Sequence, residues 1–148
     1  MPIDLSLTQN CWADLERHIN ESEFNKELIK RCYDFANKAH INQKRDSGDD
    51  YITHPAWIAK VALQLHIGEE AVLAALLHDC VEDTNVTIDQ IANEFGDEVA
   101  LLVSGLTEVA KKTKGIEIDQ PNIELFRKFL FSSVNDVRVL ILRLIDKL

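Results

Sequence analysis

Apolar residues recur at three- and four-residue spacing along almost the whole of this 148-residue chain, and that period restricts its fold more than any other feature. Leu28, Ile29, Cys32, Phe35, Ala36 and Ala39 make one amphipathic stripe; Trp57, Ile58, Val61, Ala62 and Leu65 make the next, with Pro55 placed at a first helical turn. Gly68 can stop that helix as a left-handed cap, and a further helix runs from about Glu69 through His78. Thr87 and Gln90 match a capping box that opens a short helix over Ile91 and Phe95, closed by Gly96. Val99, Leu102, Val103 and Leu106 continue the pattern. Residues 111–121 lose it and contain Gly115 and Pro121, so they read as a mobile loop, after which Ile123, Phe126, Phe129 and Leu130 resume a helix. Residues 137–148 are apolar almost all round, the mark of a buried central helix. No run alternates with the period of a strand. The expected fold is all-α.

Against this background the run Ala74-Ala75-Leu76-Leu77-His78-Asp79-Cys80-Val81-Glu82-Asp83-Thr84 stands out. A core-facing helix has no packing reason to end in a histidine and three carboxylates, since an unpaired buried charge must be paired, protonated or bound to metal. Carboxylates near a helix C-terminus also oppose its dipole, which argues for a compensating cation. Adjacent His78 and Asp79 can lean toward one ion, and Glu82 and Asp83 follow one turn later as groups able to move protons. Asp146 interrupts the last apolar run, and His54 precedes Pro55 where a helix begins. Each has an ordinary role open to it. His78 could be a satisfied core histidine, Asp146 could pair with Arg143 or Lys147, and His54 could cap a helix. Taken together, His54, His78, Asp79 and Asp146 form a nitrogen and oxygen donor set suited to Mn²⁺, Fe²⁺, Co²⁺ or Zn²⁺. That set points to a metal-dependent hydrolase.

Composition narrows the field. The length suits one domain with its own core. No apolar stretch approaches the ~20 residues of a membrane helix, and no basic-then-apolar leader opens the chain. A net charge of −9 opposes broad nucleic-acid binding, although a small anionic substrate is compatible with a metal and local basic residues. The three cysteines lack zinc-type spacing and fit a reduced, cytoplasmic setting.

His54, His78-Asp79 and Asp146, in this order on helices, resemble the signature of the HD superfamily of metal-dependent phosphohydrolases. More narrowly, Phe35-Ala36-Asn37-Lys38-Ala39-His40, Gln43-Lys44-Arg45-Asp46-Ser47-Gly48, Tyr51-Ile52-Thr53-His54-Pro55 and the Ala75–Thr84 run resemble the RelA/SpoT homologues. Phe95-Gly96-Asp97-Glu98-Val99-Ala100, Phe126-Arg127-Lys128 and Asp136-Val137-Arg138-Val139-Leu140-Ile141 add to the likeness, which spans roughly residues 25 to 148.

The resemblance implies an HD-domain helical bundle that removes the 3′-pyrophosphate from the nucleotides ppGpp and pppGpp in the stringent response. It implies one divalent ion, usually Mn²⁺, held by His54, His78, Asp79 and Asp146. It assigns water activation to Glu82 and Asp83, stacking on the guanine base to Arg45, and a place in the same base-binding loop to Ser47. Arginine suits that stacking, because its planar guanidinium offers a face that lysine lacks. Residues 1–24 are expected to form a helical leader and residues 25–148 the hydrolase domain, cut short at its C-terminal end.

Some positions depart from the family pattern. Asn42 stands for a common glycine, Asp46 for a basic residue, Asp49-Asp50 for a Glu-Pro pair, Glu108 for a lysine and Leu125 for an asparagine. None is a proposed metal ligand, so they bear on substrate affinity more than on catalysis. Two other readings stay open: an HD phosphohydrolase of another nucleotide, such as the 2′-phosphate of NADPH, or a regulatory domain of weak activity within a longer synthetase/hydrolase.

Overall fold

The computed structural model describes residues 2–6, 10–113, 127 and 136–147. The described elements are helical: α1 (Cys11–Asn20), α2 (Lys26–Ala39), α3 (Thr53–Gln64), α4 (Glu69–Leu77), α5 (Cys80–Asp83), α6 (Ile88–Phe95), α7 (Asp97–Thr113) and α8 (Val137–Asp146). Among them lies no strand beyond one isolated bridge between Lys44 and Asp50. The all-α expectation holds. No helix among the described residues is long and apolar enough to cross a membrane.

α4 is the axis of the fold. Its whole length from Ala71 to Leu77 is buried, because α2, α3, α7 and α8 all pack around it. A helix apolar on every face has no solvent side to present, so it can only be central. The sequence reading gave that central place to residues 137–148, and the structure corrects it. Val139, Leu142 and Ile145 of α8 face inward, but Val137 is 65% and Leu144 51% exposed. α8 therefore lies on the flank of α7 and α3. Leu15 and Ile19 of α1 are buried in the same core as the later helices.

Local signals decide most helix ends. Thr87 and Gln90 form the expected capping box at the start of α6, and Gly96 closes it at φ 100°. The end of α3 differs from expectation. The left-handed residue there is His66 (φ 56°), whereas Gly68 (φ 107°, ψ 156°) starts α4. Leu65, assigned above to the α3 stripe, is 37% exposed, and Lys60 is buried instead. α7 continues through Thr113, so the first part of the predicted loop is helical. The rest of that loop and the predicted helix over Ile123–Leu130, Arg127 apart, lie outside the described residues.

Candidate metal centre

The long buried helix does not run unbroken into the acidic segment. α4 ends at Leu77, His78 and Asp79 form the joint, and α5 starts at Cys80. Both joint residues keep near-helical backbone angles, so the path bends without turning back. Asp79 lines a cleft of about 1090 Å³, and His78 lies buried next to it. His54, two residues into α3, and Asp146, the last residue of α8, line the same cleft.

The four proposed ligands converge there. His54 Nε2 lies 2.7 Å and His78 Nε2 3.6 Å from Asp146 Oδ1. Asp79 Oδ2 lies 3.1 Å from His78 Nε2. One donor atom each from His54, His78 and Asp146 lie within 4.8 Å of one another, and Asp79 adjoins this trio through His78. Such a set of nitrogen and oxygen donors could hold a divalent ion.

The orientation of His78 makes this more than a coincidence of spacing. Its Nδ1 donates to the Ala75 carbonyl at 2.7 Å, which leaves Nε2 as the free lone pair. That Nε2 is buried and makes no hydrogen bond, although two carboxylate oxygens stand close by. A buried lone pair facing carboxylates calls for a cation between them, either a proton or a metal. The charge balance carries the same signature. Burial opposes charging the His78 ring, yet the Asp146 and Asp79 carboxylates outweigh it and push the imidazole up to about 10. Burial likewise opposes the charge on both aspartates, but the histidines around Asp146, and His78 with Tyr51 around Asp79, hold them below the ordinary carboxylate range.

Glu82 behaves oppositely. Burial first, then the Asp79 charge, push its carboxyl above its ordinary value, against the pull of Arg143. A carboxyl so poised can hold a proton nearer neutrality than a free one. Glu82 and Asp83 both line the cleft, as do Arg45 and Ser47 from the loop between α2 and α3. Asn42 adopts φ 69° in that loop, the left-handed conformation that suits the glycine commonly found there. Asp49 and Asp50 are spoken for: Asp49 accepts from Ser47 Oγ at 2.9 Å, and Asp50 pairs with Lys44.

Two residues of the site were not among those expected. Tyr51 places its hydroxyl 3.0 Å from Asp79 Oδ2 and 2.9 Å from Asp83 Oδ2. Arg143 was weighed only as an ion-pair partner of Asp146, and so it is, at 2.6 Å. It also donates to the Leu106 carbonyl at 2.6 Å and comes within 3.8 Å of Glu82 Oε1, tying α7, α8 and the acidic segment together. Its signal was available, as a basic residue one turn before Asp146 in an otherwise apolar run.

The chain is similar to known proteins over most of its length. Residues 32–148 match the HD domain family. The chain is 38% identical over 135 residues to the guanosine-3′,5′-bis(diphosphate) 3′-pyrophosphohydrolase of Aquifex aeolicus, which covers 91% of the chain and 19% of that protein. It is 43% identical over 112 residues to the protein of the same name from Haemophilus influenzae, covering 76% of the chain and 16% of that protein. With the GTP pyrophosphokinase rsh of Brucella melitensis it shares 39% identity over 126 residues, 85% of the chain and 17% of the relative. The chain thus spans less than a fifth of the length of these curated relatives.

Proposed function

The chain belongs to the HD domain family, among the RelA/SpoT homologues, and from that premise we propose that it hydrolyses the 3′-pyrophosphate of ppGpp and pppGpp, giving GDP or GTP and pyrophosphate. The unpartnered Nε2 of His78, buried between two carboxylates, is the observation that carries the reading.

In this proposal His54, His78, Asp79 and Asp146 hold one divalent ion, Mn²⁺ by resemblance to the family. Such an ion lowers the pKa of a bound water and draws charge from a phosphoryl oxygen. Arg45 stacks on the guanine, and Ser47 helps to shape the base-binding loop. Lys44, Lys111, Arg143 and Lys147 line the cleft and supply positive charge toward the phosphates of an otherwise acidic protein. Glu82 takes a proton from the attacking water, helped by Asp83. The water oxygen bonds to the phosphorus attached to the ribose 3′-oxygen, the phosphorus–O3′ bond breaks, and the proton goes to that oxygen. Burial and the Asp79 charge push the Glu82 carboxyl above its ordinary value, which makes it a better proton acceptor than a free carboxylate. The three cysteines are free thiols, in keeping with a reducing, cytoplasmic setting.

The test is release of pyrophosphate from ppGpp in the presence of Mn²⁺. Asp79→Ala is expected to lose metal and activity together. Glu82→Gln is expected to retain Mn²⁺ while turnover falls by about 10²–10⁴-fold, the usual worth of general acid–base help. Parental turnover in Glu82→Gln would remove Glu82 from the chemistry.

A further inference from the structure

The loop between α2 and α3 carries Arg45 and Ser47 at its tip, but its base touches the acidic segment. Gln43 and Tyr51 stand at its two feet, joined by a hydrogen bond from Tyr51 N to the Gln43 carbonyl at 3.3 Å. Each foot reaches Asp83: Gln43 Nε2 donates to the backbone carbonyl at 3.2 Å, and the Tyr51 hydroxyl meets the carboxylate. The same hydroxyl meets Asp79. One phenolic proton thus serves two carboxylates that would otherwise repel each other. Beneath Tyr51 lies His40, buried and stacked on its ring with centroids 4.4 Å apart and planes 23° from parallel. His40 is fixed in turn, Nδ1 by Gln43 Oε1 at 3.1 Å and Nε2 by contact with Cys80 Sγ at 3.7 Å.

We propose that Tyr51, held in place by the stacked His40, is a positioning residue whose hydroxyl fixes the ligand carboxylate of Asp79 and the proton-handling carboxylate of Asp83 relative to each other and to the base-binding loop. The proposal rests on the reading of Asp79 and Asp83 given above. A carboxylate oxygen can only accept, so the phenol O–H is the donor to both aspartates. Its side chain lines the cleft, but its hydroxyl is engaged with the two aspartates. It works through the two aspartates, as outer hydrogen-bond partners of metal ligands do. The alternative is that Tyr51 merely fills space beside His40, and deleting the hydroxyl alone separates the two.

Tyr51→Phe keeps the ring and its stack. Its expected effect is a drop of about 10–100-fold in kcat, with KM for ppGpp unchanged because Arg45 and Ser47 are untouched. Mn²⁺ affinity, read by titration calorimetry without nucleotide, should weaken by about the same factor. His40→Phe, which can still stack, should keep Mn²⁺ affinity nearer the parent than His40→Ala. Parental kcat and parental Mn²⁺ affinity in Tyr51→Phe would overturn the proposal. If the parent chain does not hydrolyse ppGpp, the proposed substrate fails, and the Mn²⁺ titration alone decides the role of Tyr51: weaker binding in the variant supports it, equal binding overturns it.

Discussion

Lys60 lies in the middle of the apolar stripe of α3 and is only 2% exposed. Its ammonium reaches the Ser6 carbonyl and Asp14 Oδ2, each at 2.7 Å, and Asp4 Oδ2 at 3.3 Å. A charge so buried is tolerable only with such partners, and removing it leaves the Asp14 carboxylate, itself only 11% exposed, with the Arg17 guanidinium at 2.9 Å as its remaining cation. Lys60→Ala should destabilise the fold by about 1.5–3 kcal/mol, the usual worth of hydrogen bonds to a charged group, measurable by urea unfolding. Nothing near Lys60 in the sequence announces this, because its partners come from α1 and from the segment before it. The proposed metal ligands differ in this respect. His78, Asp79 and Asp146 drew notice because they interrupt or end apolar runs, and His54 because it opens a helix beside Pro55, whereas Tyr51 fits its surroundings and meets its two aspartates about thirty positions away.

At the scale of elements, periodicity located the helices, and cap chemistry set their ends where a side chain does the capping, as at Thr87. It failed where tertiary structure chooses. The joint at His78 and Asp79 is invisible to periodicity, since the apolar residues before it continue the helical phase. The flank position of α8 was equally hidden, because Val137 and Leu144 look like core residues until the neighbours are known. What seats α8 against α7 is Gly105. A Cβ there would meet Val139 Cγ2 at 3.0 Å. Gly105→Val should accordingly push the two helices apart and cost about 1–3 kcal/mol, more than the helix gains by losing its glycine. Combining it with Val139→Ala should recover part of that loss, and a double-mutant cycle on thermal unfolding measures the coupling. Because α8 carries Asp146, Mn²⁺ affinity in Gly105→Val should fall as well.

Among the described residues one core is shared from Leu15 of α1 to Ile145 of α8, and the candidate metal centre sits where α3, the joint after α4 and the end of α8 come together. Binding of an ion to the folded form alone must raise the stability of that form. Mn²⁺ at a hundredfold excess over its dissociation constant should add about 2.7 kcal/mol, seen as a higher melting temperature that a chelator reverses and His78→Ala abolishes. The contact between His54 and Asp146 joins residues 92 positions apart. An ion at that point is a clasp on a long loop, closing the chain much as a covalent cross-link would. Metal supply would then be felt first in the amide exchange of α8, which should slow when the clasp is shut and quicken, ahead of every other helix in the core, when it is opened.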